Sequence, residues 1–517
     1  MHMKKINLFF GFGLFLLLSC QMADKEVEKP QNNIILFLVD DLGWQDTSEP
    51  FWTDTTDNNR KYHTPNMEKL AAQGMKFTQA YACAVCSPTR VSLLSGMNAA
   101  RHRVTNWTLQ RGKNSVREPE NLKIPAWNLN GVQACDSIEQ SVFVTPLPQI
   151  LKDHGYFTIH CGKAHFGAIS TPGENPQSLG FDVNIAGHAA GGPGSYQGEH
   201  NFSAAWRGGG PTWDVPGLEK YHGEDINLTE ALTLEAKLAI DSAVLRQQPF
   251  YLYMAHYGVH TPLEADQRFY QKYIDLGYEE PEARYASMVE SVDKSLGDLM
   301  NYLEEKNIAE NTIVLLMSDN GGLSAVARGG EPHTHNLPLS SGKGSAHEGG
   351  IREPMIVKWP NKVIEGSLCN EYLIIEDFFP SVLEMAGIIN YETVQTVDGL
   401  SFVPFLMQED YSSQDRALYW HYPNNWGPSG PGIGASSTIR LGDWKMIYYH
   451  KDESFELFNL SKDIGETNNL AATNPDKLQE LAQNLSAYLK SVDAQMPINK
   501  TSGKLVSWPV EALLSHK

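Results

Sequence analysis

The sequence predicts an α/β fold: a parallel sheet flanked by helices, with a smaller α+β domain at the C-terminal end. Three observations predict it. Runs at 34–39, 250–254 and 312–317 are apolar throughout, a weaker one lies at 157–161, and each gives way to polar residues. Strands of that kind are covered on both faces, as in parallel sheets flanked by helices. Stretches with helical periodicity lie between them, at 66–74, 229–246 and 283–306. After about residue 400 the texture changes, and short strand-like runs at 417–422 and 444–450 precede a helical stretch at 477–491.

The 517 residues are 41% hydrophobic and 20% charged, a globular composition. The length admits two or three domains, and a core of that size needs no disulfide support. A net charge of −20 argues against a nucleic-acid partner. It leaves open the local sign of a deep site.

Taken in chain order, the first segment stands outside the fold. Lys4 and Lys5 precede an apolar run at 6–18 that ends in Leu17-Leu18-Ser19-Cys20. The run is too short to span a membrane and has the layout of an export signal. Its ending resembles a bacterial lipoprotein signal, with Cys20 as the lipidated residue. The expected organisation is a signal at 1–20, a polar tether at 21–32, a catalytic domain at 33–400 and a C-terminal subdomain at 401–517. Cys83, Cys135, Cys161 and Cys369 are left as either disulfide partners or buried thiols.

The first strand stops at Asp40-Asp41, and the run at 312–317 stops after Ser318 at Asp319-Asn320. Ligands of such folds gather beyond the carboxyl ends of the strands. Two strand ends that each carry adjacent oxygen ligands can converge on one hard cation, and all-oxygen coordination suits calcium or magnesium. Cys86 precedes a stretch that reads as a helix start, where free amides favour anions and lower a thiol pKa. The run at 157–161 leads to Gly162-Lys163, and the run at 250–254 leads to His256 and His260. Two loop-rich regions, 107–145 and 187–216, have the length of functional loops. Trp44, Trp107, Trp206, Trp213, Trp420 and Trp426 are sugar platforms or ordinary packing, and packing is the simpler reading for any one of them.

Cys86-Ser87-Pro88-Thr89-Arg90, continuing through Leu93-Leu94-Ser95-Gly96, resembles the Cys-x-Pro-x-Arg signature of the type I sulfatases of the alkaline phosphatase superfamily. Gly155-Tyr156 to Gly162-Lys163-Ala164-His165-Phe166-Gly167 resembles their second signature, with Ala164 where a Trp is usual. His260-Thr261-Pro262, Ser318-Asp319-Asn320-Gly321 and Gly342-Lys343-Gly344 follow in the family's order, then a Glu-Gly-Gly-Ile-Arg run ending at Arg352. The resemblance implies an alkaline-phosphatase-like fold, with a mixed, mostly parallel sheet sandwiched by helices, and a sulfuric ester hydrolase. It implies that Cys86 is oxidised to formylglycine by a formylglycine-generating or anaerobic sulfatase-maturing enzyme. Asp40, Asp41, Asp319, Asn320 and residue 86 would hold one calcium ion. The hydrated aldehyde would attack sulfur and later eliminate sulfate. Arg90 would brace it, Lys163 and Lys343 would neutralise sulfate oxygens, His165 would orient or deprotonate the diol, and His260 would protonate the leaving alcohol. Arg352 reads as structural, His256 as an outer support, and His421 with Asn424 as a pocket closure touching substrate. The expected substrate is a sulfated glycan, with the 4- or 6-O-sulfate on a terminal galactose or N-acetylgalactosamine. The expected place is the bacterial envelope, through a lipid anchor. A phosphonate or phosphodiester hydrolase of the same superfamily and a catalytically silent glycan-binding lipoprotein are the competing readings.

Overall fold

A computed structural model of the chain describes residues 31–116, 118–135, 138–325, 327–409 and 412–515. Cys20 and the expected signal and tether lie outside the described residues, apart from the last two tether positions. Asn32–Lys517 forms one compact unit. No described helix is long and apolar enough to cross a membrane.

Eight strands form the main sheet: β1 (Asn33–Val39), β2 (Met75–Tyr81), β3 (Phe157–Gly162), β4 (Val183–Ile185), β5 (Phe250–Ala255), β6 (Thr312–Ser318), β7 (Arg352–Lys358) and β8 (Ser367–Ile374). Their order is β8-β2-β7-β6-β1-β5-β3-β4. Only β7 runs antiparallel to its neighbours; the other pairings are parallel. The mixed, mostly parallel sheet agrees with the sequence expectation.

The central strands are buried along their length and mostly apolar because both faces of the sheet are covered. In β1, Ile34, Leu36 and Leu38 join one core, with Val91, Leu93 and Leu94 of helix α2 (Cys86–Ser95). Ile35, Phe37 and Val39 join the other. Helices α1 (Pro65–Ala72), α3 (Leu228–Arg246) and α4 (Glu280–Glu305) cover that second face. The strands not foreseen are β2, β4 and β8 towards the two edges, and the interior β7, whose Arg-Glu-Pro start leaves only a short apolar run. In β2, Met-Lys-Phe-Thr-Gln-Ala-Tyr mixes polar with apolar residues and is partly exposed, so it lacks the continuous run that marked the centre.

The C-terminal lobe is an antiparallel meander of β9 (Ala417–Tyr422), β10 (Ser436–Leu441), β11 (Trp444–Tyr449) and β12 (Phe455–Asn459). Helix α5 (Pro475–Ser491) seats Leu481 and Leu485 against Ile439, Met446 and Leu457. Buried charges fasten this lobe to the large one. Lys445 Nζ lies 2.9 Å from Glu348 Oε1 and 2.8 Å from Glu466 Oε1. Arg352 pairs with Glu348 at 3.3 Å and stacks over Trp44 at 4.5 Å. Arg352 is therefore structural, and Trp44 is its packing partner. Cys83, Cys161 and Cys369 are buried thiols outside any disulfide.

Candidate active site

The ends of β1 and β6 lie side by side, in register from Asn33 opposite Thr312 to Val39 opposite Ser318. That register delivers Asp40-Asp41 and Asp319-Asn320 to one point. Ligand oxygens of Asp40, Asp41 and Asp319 fall within 4.8 Å of one another, all buried. β3 and β5 lie on the other side of β1 and bring Lys163, His165 and His260 to the same rim. Asp41 and His165 hold left-handed backbone angles, φ 62° and 55°. Such angles are uncommon outside glycine and concentrate at functional sites.

Cys86 is the first residue of α2, whose N-cap, Val85, supplies no side-chain acceptor to the first amides. Its Sγ lies 3.3 Å from His165 Nδ1. His165 Nε2 is 2.9 Å from the Thr108 carbonyl, so Nε2–H donates there and Nδ1 is the free acceptor facing residue 86. Burial, then Lys163 and Arg90, holds His165 well below the ordinary histidine range and keeps it neutral. The expected lowering of the Cys86 thiol is corrected here: burial outweighs Lys163 and Lys343 and pushes it up.

Each carboxylate has its own cation. Lys163 Nζ is 2.6 Å from Asp40 Oδ2, and Lys343 Nζ is 2.6 Å from Asp41 Oδ1. Arg90 reaches Asp319 Oδ2 through Nε at 2.9 Å and Nη2 at 2.7 Å, and its Nη1 donates to the Lys163 carbonyl at 2.8 Å. Burial and the neighbouring Asp319 push Asp40 well above the usual carboxylate range. Burial also opposes ionisation of Asp41, but Lys343, His260 and Lys163 outweigh it and hold Asp41 low. After these pairings, Asp40 Oδ1, Asp41 Oδ2 and Asn320 Oδ1 remain buried without a hydrogen-bond partner. Unpaired buried acceptors are costly, and three in one cluster match the inner shell of a hard cation. The residues therefore fit a hard cation.

His260 is the most accessible of the group, 22% exposed at its side chain, with Nε2 3.9 Å from Asp41 Oδ2. Its Nδ1–H donates to the Thr261 carbonyl at 2.7 Å, which leaves Nε2 facing the site. Burial and Lys343, against the pull of Asp41, bring it down to about 3. The glycine-rich stretch closes over both histidines. A Cβ at Gly191 would lie 2.4 Å from the His165 ring, and one at Gly192 would lie 2.9 Å from His260 Nδ1. Trp426, from the C-terminal lobe, packs its ring 5.7 Å from Lys343 Nζ.

All ten expected residues of the large lobe, from Asp40 to Lys343, thus converge. His421 does not join them. Its Nδ1 is 2.8 Å from Ser437 Oγ and its Nε2 is 3.0 Å from the Gln495 carbonyl, so both ring nitrogens are occupied inside the C-terminal lobe. The expectation that His421 touches substrate is corrected accordingly. His256 is likewise internal, with Nε2 2.9 Å from Ser295 Oγ and its ring against Phe37. Thr108 and Gly191 were not foreseen. Thr108 acts through its carbonyl, which no side-chain pattern advertises, whereas Gly191 belongs to a stretch already marked by its glycines.

A family model described as Sulfatase matches residues 32–388, and one described as N-sulphoglucosamine sulphohydrolase, C-terminal, matches residues 342–495. A sulfatase of Formosa agariphila is 32% identical, over 92% of this chain and 91% of its own. The N-acetylgalactosamine-6-sulfatase of Canis lupus familiaris is 27% identical, over 96% of this chain and 94% of its own. The crystal structure of Ps i-CgsB in complex with k-i-k-neocarrahexaose superposes with a TM-score of 0.71 at 25% identity, covering 94% of this chain and 97% of that one.

Proposed function

Because the chain belongs to the sulfatase family and is a hydrolase of sulfuric esters, we propose that it removes O-sulfate from a carbohydrate, with Cys86 as formylglycine and calcium at Asp40, Asp41, Asp319 and Asn320. One observation carries the reading. Position 86 opens a buried helix with a proton acceptor 3.3 Å away, beside three carboxylate–cation pairs that leave unpaired oxygens facing one another. A calcium ion held there would supply positive charge to the site, and a formylglycine at position 86 would supply, once hydrated, an oxygen nucleophile.

The chain's own residues have separate tasks. Arg90 fixes both Asp319 and the Lys163 carbonyl, so it sets the spacing between the metal ligands and the Lys163 loop. Lys163 and Lys343 hold ammonium groups ready for sulfate oxygens in a site that excludes bulk water. His165 accepts a proton at Nδ1, because its Nε2–H is committed to Thr108. His260 presents Nε2 to the leaving oxygen. An incoming sulfate anion raises the proton affinity of that nitrogen. A sugar alkoxide is a poor leaving group, so proton donation there matters more than with an aryl ester.

Two relatives support a saccharide substrate, one by its activity on N-acetylgalactosamine 6-sulfate groups, as its name states, and one by its bound neocarrahexaose. The reading extends to a 4- or 6-O-sulfate on a terminal galacto-configured unit, to maturation by a formylglycine-generating or anaerobic sulfatase-maturing enzyme, and to a lipid anchor at Cys20 on the bacterial envelope. The test is parallel turnover of defined sulfated saccharides and a phosphodiester by protein whose Cys86 peptide has been checked by mass spectrometry. Release of sulfate from a saccharide is expected. Failure on every sugar sulfate, or a strong preference for the phosphodiester, overturns the reading.

A further inference from the structure

A groove of about 440 Å³ is lined by Leu263, Glu264 and Ala265, which follow His260 in the chain, and by none of the residues assigned to the sulfate chemistry. Trp206 lines it and is 49% exposed. One face of its indole lies flat on His200, with ring centroids 4.5 Å apart and planes 10° apart. Half exposure with one face covered leaves the other face open.

The platform is built into the site rather than hung from a loose loop. His200 Nδ1 is 3.1 Å from Ser195 Oγ, which donates to Glu264 Oε2 at 2.7 Å. The Tyr196 N–H donates to the same oxygen at 2.7 Å. Tyr196 Oη lies 2.6 Å from the Tyr257 carbonyl and 2.8 Å from that of His260. Glu264 follows His260 by four residues, an extended reach of at most about 14 Å. The groove therefore starts within the span of a short oligosaccharide from the leaving oxygen.

Its charge selects the occupant. Glu199, Asp225, Glu264 and Glu280 line it against a single guanidinium, Arg284, which is itself paired with Glu280. Such a wall repels a sulfated unit. An aromatic face, electron-rich above the ring, attracts the C–H face of an uncharged sugar. We infer that the groove binds an unsulfated sugar unit of the same glycan whose sulfated unit sits at Cys86. This assignment rests on the carbohydrate reading above and adds a requirement for the neighbouring unit.

The test compares wild type with Trp206→Ala and Trp206→Phe on three substrates. These are an aryl sulfate, a sulfated saccharide extended by unsulfated units, and the same saccharide with the flanking units sulfated. Trp206→Ala is expected to raise KM for the unsulfated-flank substrate about five- to tenfold. Trp206→Phe keeps most of the affinity, the sulfated-flank substrate binds wild type more weakly, and aryl sulfate turnover is unchanged in all three proteins. Equal KM for the unsulfated-flank saccharide in wild type and Trp206→Ala overturns the groove assignment while leaving the carbohydrate reading intact. So does a parallel loss on aryl sulfate, which marks Trp206 as general support. A wild type that hydrolyses aryl sulfate and no saccharide overturns the carbohydrate reading, and the groove assignment with it.

Discussion

Replacing Lys343 with methionine removes an ammonium 2.6 Å from Asp41 Oδ1 while keeping most of the aliphatic stem. Lys343 is 5% exposed and Asp41 fully buried, so solvent cannot take over the lost partner. Removing one member of a buried pair costs about 3–5 kcal/mol. The lower end applies here, because Asn320 Nδ2 still donates to Asp41 Oδ1 at 2.7 Å. The catalytic loss is separate. An oriented cation aimed at developing charge contributes roughly 10²–10³ in kcat, or about 2.7–4 kcal/mol. The assay is kcat and KM for an aryl sulfate and a saccharide sulfate, on Lys343→Met with Cys86 conversion matched to wild type, together with a thermal melt. Both substrates are expected to lose kcat by that factor, because Lys343 meets the sulfate rather than the alcohol. A kcat within about threefold of wild type would refute the role assigned to Lys343, whatever the melt shows.

Calcium at a hundred times its Kd is expected to stabilise chelator-treated protein by about 2.7 kcal/mol; Asp41→Asn and Asp319→Asn abolish that shift, and melts indifferent to chelator and calcium count against the ion site. His102 is buried, accepts the Val104 N–H at Nδ1 and faces Ser92 Oγ with Nε2, and burial brings it down to about 3. Its folded pKa lies below its unfolded value of 6.5, so its contribution is complete above pH 6.5 and is lost as pH falls towards 3. Denaturant titrations should show the loss of up to about 1.4 kcal/mol per pH unit from this residue, and a shallower slope in His102→Gln; equal slopes contradict it. Lys445→Met takes the buried ammonium from Glu466 and leaves Glu348 with Arg352 and Tyr81, so it should cost about 3 kcal/mol, the lower end of the range for breaking a buried pair, in a melt while aryl sulfate kcat below the transition stays unchanged; a fall in kcat instead would show that the lobe clamp reaches the site.

The centre of the fold was legible because its strands are buried on both faces. The run from Ile34 to Val39 has no polar position to confuse its reading. Other strands were not: β2 and β8 are partly exposed and carry polar residues, which breaks periodicity, and the buried β7 opens with Arg352, Glu353 and Pro354. The site was legible for the same reason as the centre: its ligands are the first polar residues after apolar strands. Asp40 and Asp319 could be named from that position alone. Their partners could not. Lys343 lies on a loop far along the chain and is joined to Asp41 only by folding, and it entered the reading through a family motif. His421 shows the limit of that route. A histidine near the end of a strand looked available to substrate, but its two nitrogens are consumed by Ser437 and Gln495, and no sequence feature announces those partners. The Cys86 thiol shows another. A helix start suggested a lowered pKa, yet complete burial dominates and raises it. A raised thiol is a poor nucleophile, which agrees with a residue that works after conversion rather than as a thiol.

The most direct measurement follows sulfate release from a saccharide sulfate against the fraction of Cys86 converted, with Cys86→Ala as the zero point. Release is expected to rise in proportion to the converted fraction and to vanish in Cys86→Ala and in unconverted protein. Full turnover by the thiol form or by Cys86→Ala would contradict the account, as would silence from fully converted protein supplied with calcium.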